Sequence, residues 1–338
     1  MERARLARQP ALGVAGITLV IPVALFLGAA WGGPERSLLV LGPMSTFALP
    51  VIAMVAFWWE DWPGTVVRPP LTGLIDTVLV AVGGIVSTLV GQAIVEHVDL
   101  RGVFDPSAGP AQAATFPLTM PLAGAIFVVM LQLTLVSEGW PFRRFNRFAG
   151  GVAALAASWA IAIPIYELLV AGDGPVAGSE LGAALVCIGV LQVAFYVVLR
   201  GWPFSLVRSQ PFRLGLANAA LIAGGLLIHL LLARTAGAEP ATISAVAGAA
   251  VAGGLVVGML FEGWLGSIVT ALVGVAVLTA GLYVGLTAIA DAIGWTRAEP
   301  EEWVAYAGLN AIGAGVILHV AIGHRWPFAL PKERRGTL

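Results

Sequence analysis

Five ionisable residues each stand two places before a tryptophan: Glu60, Glu138, Arg200, Glu262 and His324 precede Trp62, Trp140, Trp202, Trp264 and Trp326. Charges gathered at one level of a fold have two uses. They can form a ring at the mouth of a passage and focus ions of opposite sign, or they can pair with cations in nearby loops. Exposed pairing of that kind is worth no more than about 1 kcal/mol. Three of the five are acids placed where an apolar run ends. A helix ending there disfavours negative charge by roughly 0.3–1 kcal/mol, so each acid needs a partner or a function. Glu60 has Arg68 in its own loop, and Glu138 has Arg143 and Arg144. We expect these two to be paired. The loop of Glu262, from Gly263 to Thr270, contains no Lys or Arg, so this acid must borrow a cation from elsewhere or serve a function.

A second set of polar groups lies within the apolar runs: Asp76, Gln132, Glu167, Gln192, His229, Asn310 and His319. Ionisable groups at membrane depth are functional candidates. Asp76 and Glu167 fall within about two turns of a run's end, and the middle of the runs carries no carboxylate, which disfavours a proton relay. Two histidines raise the question of haem. His229 and His319 differ in expected depth by roughly 15–20 Å at 1.5 Å per residue, so they cannot hold one iron between them. Hydrogen-bonded structural roles fit them better. The single cysteine, Cys187, sits mid-run and reads as a buried apolar residue. No phosphate loop, zinc-binding His-Glu motif, nucleophile elbow or dinucleotide fingerprint is present. The sequence therefore implies no catalytic residue, no cofactor and no metal; we expect neither an enzyme nor a nucleic-acid-binding protein.

The elements that must position these groups follow from composition. Of 338 residues, 59% are hydrophobic and only 11% charged, more apolar surface than a soluble core can hide. A bilayer core about 30 Å thick needs roughly 20 apolar residues per helix. Ten runs qualify, near 11–32, 38–60, 71–96, 116–138, 148–171, 179–200, 213–234, 241–262, 266–292 and 301–324. Small-residue pairs such as Gly254 with Gly258 and Ala311 with Gly315, and the doublets Gly83-Gly84 and Gly224-Gly225, read as points of close helix approach.

The tryptophans set the organisation. From Trp140 to Trp202, to Trp264 and to Trp326 the spacing is 62 residues each time, and from Trp62 to Trp140 it is 78. A fixed period of this length marks a repeat architecture. The expected fold is an all-α integral membrane protein of ten transmembrane helices, arranged as five helical-hairpin repeats running in the same direction. The units lie near 8–66, 67–144, 145–206, 207–268 and 269–330, with a tail at 331–338. Each hairpin goes out, turns at a proline such as Pro34, Pro175, Pro240 or Pro300, and returns to its Trp motif. The proline after Trp is expected to stop the return helix, and Trp62, Trp140, Trp202, Trp264 and Trp326 to anchor at the interface. The extra length of the second unit falls in the external segment 97–115, which reads as an acidic loop.

Of 18 Lys and Arg residues, 14 lie on the side of the N-terminus and the Trp motifs. The positive-inside rule puts that side, with both termini, in the cytoplasm of a cell whose plasma or inner membrane holds the chain. Repeats in one direction exclude the inverted-repeat transporter plan. Two functions fit: a channel or transporter for a small solute through or between the hairpins, or a non-catalytic scaffold that binds lipids, partner subunits or further copies of itself.

Overall fold

The computed structural model describes residues 8–67, 71–107 and 115–328. Among these, eight helices are long and apolar enough to cross a membrane, and two shorter apolar helices accompany them. The chain is an all-helical, multi-pass membrane protein.

In chain order the helices are α1 (Ala11–Leu27), α2 (Pro34–Ala53), α3 (Leu71–Val95), a short α4 (Leu100–Phe104), α5 (Met120–Leu131), α6 (Arg147–Leu169), α7 (Gly178–Gln192), α8 (Gln210–Thr235), α9 (Pro240–Leu255), α10 (Ile268–Ala290), α11 (Pro300–Ala305) and α12 (Ala314–Ile317). Five of them run on into π-helical turns: α2 through Met54–Trp58, α5 through Gln132–Val136, α7 through Val193–Val198, α9 through Val256–Leu260, and α11 through Tyr306–Gly313, α12 and Leu318–Ile322.

These five form an inner ring. α2 packs on α5, α5 on α7, α7 on α9, α9 on α11, and the π turn after α11 returns to α2. Half or more of the most apolar window is buried in the long inner helices, up to 78% for α2, against at most 28% in α3, α6, α8 and α10. Those four, with α1, form the outer layer. Each outer helix packs chiefly on the inner helix that precedes it in the chain, α3 on α2, α6 on α5, α8 on α7 and α10 on α9, while α1 lies on the π turns after α11 and α9. The longest antiparallel contacts are thus made across the Trp turns rather than across the outer prolines.

The small residues sit where helices approach. A Cβ on Gly225 of α8 would lie 2.6 Å from the Ile188 backbone of α7, and one on Gly258 would lie 3.0 Å from the Val197 carbonyl. Neither site has room for a side chain.

The Trp turns share a local geometry that hydrophobic patterning does not foretell. Each inner helix ends with a wide bond from the N–H three residues before Trp to the carbonyl eight before: Trp59 to Met54 at 3.0 Å, Ser137 to Gln132 at 2.8 Å, Leu199 to Ala194 at 2.9 Å, Phe261 to Val256 at 3.0 Å and Gly323 to Leu318 at 2.6 Å. The chain then turns left-handed. Glu60, Glu138 and Arg200 have φ 51° and His324 has 49°, and the residues after them, Asp61, Gly139, Gly201 and Arg325, are left-handed too. This resembles a glycine-type helix cap widened by one residue. The helix therefore stops well before the proline, which lies beyond the cap. The fourth turn departs from the others: Leu265 replaces proline, and only Gly263, at φ 72°, is left-handed.

The first apolar run ends as a helix at Leu27, and the fourth begins at Met120, later than the run of apolar residues suggests. In the external segment 97–115, Asp99 accepts from the Arg101 N–H at 2.9 Å and caps α4. Trp31 Nε1 donates to the Phe104 carbonyl, so the segment leans on the α1–α2 turn. Residues 108–114 lie outside the described residues.

Candidate functional site

The inner ring encloses a cavity of about 1080 Å³, to which all five inner helices contribute. Its walls include Leu38, Thr46 and Leu49 of α2, Gly124, Phe127 and Leu131 of α5, Gly182 and Leu185 of α7, Ser244 and Val251 of α9, and Tyr306 and Asn310 beyond α11. It opens at the end remote from the Trp turns, where the exposed Glu96, Ser179, Glu239 and Glu299 and the half-buried Glu302 form its rim. Eight residues separate Glu302 from Asn310, which places the buried Asn310 about 12 Å below the rim at 1.5 Å rise.

Asn310 is the member of the sequence-derived set that reaches this cavity. Its amide donates to Thr46 Oγ1 at 2.6 Å, and the Thr46 hydroxyl donates to the Gly42 carbonyl at 2.7 Å. This polar seam joins the first and last inner helices. Below Leu49, Leu131 and Val251 the ring narrows into buried Ile52, Val55, Val256 and Ile317.

The other intramembrane candidates tie helices together. Gln192, fully buried, donates to Gln132 at 2.5 Å and to the Val128 carbonyl at 3.0 Å, and Gln132 donates to Asn218 of α8 at 3.0 Å. His229 faces Glu180 at 3.0 Å, joining α8 to the start of α7. His319 lies buried with its ring 6.0 Å from that of Phe328. Glu167 is exposed near the end of α6, and Asp76 is fully buried, accepting from the Gly64 N–H at 2.8 Å.

The residues two before each Trp are paired, with partners supplied from elsewhere in the ring. Glu60 meets Arg147 at 3.4 Å, and Glu138 meets Arg213 at 2.8 Å. These partners correct the expectation that the acids would use their own loops: Arg68 lies outside the described residues, and Arg143 and Arg144 are not the cations that hold Glu138. Arg200 approaches Glu262 at 3.9 Å, and Arg325 approaches it from the other side at 3.8 Å. His324 meets Asp61 at 3.2 Å. Glu262, with no cation in its own loop, does borrow. Arg325 is buried, and its guanidinium also bonds the Leu260 carbonyl at 3.0 Å and the Met259 carbonyl at 2.5 Å, closing free carbonyls at the end of the π turn that follows α9. The five tryptophans are exposed to a similar extent, from 38% to 54%.

Sequence reasoning missed Asp61, half of a carboxylate pair at the α2–α3 junction. Burial raises its pKa from 3.8 to about 7, and the charges of Asp76 and Glu60 push in the same direction. It also missed Thr46, Tyr306 and the rim acids. The rim did carry a signal, since Glu299-Pro300-Glu301-Glu302 spells a capping box, and the Glu299 N–H indeed donates to Glu302 at 3.0 Å.

Comparison with models of known protein families, with curated proteins and with solved structures finds no match.

Proposed function

We propose that the chain carries a small solute across the plasma or inner membrane by way of the central cavity, as a transporter rather than an open channel. The single observation that supports this is the cavity of about 1080 Å³ bounded by all five inner helices. It is of the size that ligand sites take. It also has one exposed rim and a buried floor, the form expected of a carrier caught open to one side. In this reading the chain is ten spans in five hairpins of like direction, which the shared geometry of the Trp turns supports. Both termini and the Trp turns face the cytoplasm on the 14-to-4 division of cations, so the cavity faces outward. The charge belt at the Trp turns then acts as a structural hoop, each member held by a neighbour.

Accessibility tests the reading. With Cys187 replaced by alanine, Asn310→Cys and Thr46→Cys should react in vesicles with a membrane-impermeant thiol reagent added outside. Substituting Ser179→Trp at the rim should slow both. Cysteines that stay unreactive at both positions, in a protein that folds, would refute an outward-facing site.

The scaffold reading draws on a different observation. α10 has only 6% of its apolar window buried and leaves a pocket of about 290 Å³ between Val197–Arg200, Val257–Phe261 and Gly263–Ala271. A helix face so widely exposed is where a partner subunit or another copy of the chain would dock. Cross-linking from Val277→Cys to a second chain would favour that role.

A further inference from the structure

We infer that the ligand of the central cavity is an organic cation with an apolar body, such as a quaternary or lipophilic ammonium compound. This rests on the reading of the cavity as a solute site and specifies its chemistry.

The rim carries four carboxylates, Glu96, Glu239, Glu299 and Glu302, against one guanidinium, Arg297. Arg297 is already engaged, donating to the Pro106 carbonyl at 2.6 Å. The neighbouring acid Glu35 is likewise engaged, held by the N–H groups of Thr296, Arg297 and Ala298 and by the Thr296 hydroxyl, so it closes the loop onto α2. Among the rim acids, Glu299 and Glu302 share the capping box of α11 and Glu96 lies 3.6 Å from His97, and all four line the opening. Carboxylates around a cleft with low-dielectric walls concentrate cations there.

The rest of the lining has a different character. Phe116, Phe127, Tyr166, Trp295 and Tyr306 line the same space, among leucine, valine and proline. Aromatic faces attract a cation that has shed its water, most of all a quaternary ammonium group, and the aliphatic wall buries its hydrocarbon part. A small hydrated metal ion would find no group of three or more His, Cys, Asp or Glu to replace its water among the described residues. An organic anion would meet the acidic rim. A neutral polar solute would leave most of the apolar wall in contact with polar groups. The lining thus selects for positive charge joined to apolar surface.

The test uses the purified full-length chain in detergent and two probes of equal shape and opposite charge, tetraphenylphosphonium and tetraphenylborate. Binding is measured by equilibrium dialysis. The cation should bind and the anion should not. Glu302→Gln keeps the capping box, because glutamine serves at that position, and should weaken cation binding by about three- to tenfold, as should Glu239→Gln. Gly182→Trp should abolish binding by filling the cavity, since nothing lies within 4 Å of a Cβ placed there. Ser179→Trp, at an exposed rim position, supplies the same block should the deeper variant fail to fold. Equal binding of both probes, lost in the tryptophan variants, would overturn the preference for cations while leaving the cavity as a site. Binding of the cation that persists in both tryptophan variants would overturn the cavity reading and this inference with it.

Discussion

Replacing Asp61 by asparagine should stabilise the protein, and by an amount that depends on pH. Asp61 sits just past the end of α2 with its side chain only 11% exposed. One oxygen faces His324 and the other has no hydrogen-bond partner. Among the groups around it are Asp76, which holds the Gly64 N–H, Glu60 on the adjoining position, and the His324 imidazole. Burial first, and the two carboxylates second, raise its pKa from 3.8 to about 7. Because the folded value lies above the unfolded one, the stabilising contribution of the protonated acid is fully present below about pH 4 and is lost as the pH rises through about 7. The interval from 3.8 to about 7, at about 1.36 kcal/mol per pH unit, sets a ceiling of about 4 kcal/mol. The His324 pairing offsets part of that, so Asp61→Asn should gain about 2 kcal/mol at pH 8 and almost nothing at pH 4. Asparagine also tolerates the left-handed backbone at φ 62°. Thermal unfolding in detergent from pH 4 to pH 8, followed by circular dichroism, should show the variant melting several degrees higher at pH 8. A variant no more stable than the parent at pH 8, or one that keeps the parent's loss of stability between pH 4 and pH 7, would refute the reasoning.

The charge belt should be uneven in strength. Glu138→Gln, which breaks a partly buried pair with Arg213, should cost about 1–2 kcal/mol, whereas Glu60→Gln, which loses an exposed contact with Arg147, should cost less than about 0.5 kcal/mol, both read from unfolding midpoints. Gly201→Val should cost about 1–2 kcal/mol from backbone strain at φ 87°, with no crowding to share the blame; Gly182→Ala, in an ordinary helical conformation with open space, should be close to neutral. In a chain lacking Cys187, Ser179→Cys should be labelled from outside intact cells and Ser205→Cys should not. The opposite pattern would invert the orientation.

Much of the frame could be read from the residues. Long apolar runs located the apolar helices, eight of them long enough to span a membrane among the described residues, and the absence of a cation near Glu262 pointed to a partner from elsewhere. What could not be read is which helices lie inside. α2 and α3 are both apolar on every face, since one is buried in protein and the other meets lipid, so no periodicity separates them. The glycine- and alanine-rich run of α9, from Pro240 to Leu255, was the available hint, because small side chains are what a crowded ring requires. The cavity was hidden for the same reason: Tyr306, Thr46 and Gly182 acquire meaning only when three helices are brought together. Partners such as Arg147 for Glu60, 87 residues apart, follow from the closure of the ring and not from any local pattern.

That closure has a consequence for chain order. Arg8 donates to the Phe328 carbonyl at 3.3 Å, and Gln9 shares with Arg325 the Leu260 carbonyl at the end of the π turn that follows α9. α1 occupies against the last inner helix the place that α3, α6 and α8 occupy against theirs. The two ends of the described chain therefore meet at one Trp turn. Joining residue 328 to residue 8 and opening the chain instead at an exposed turn, such as that around Ser205, would give a circular permutant with the same neighbours throughout. The order of the segments along the polypeptide then becomes a record of where the circle was cut, and the assembled ring does not depend on it.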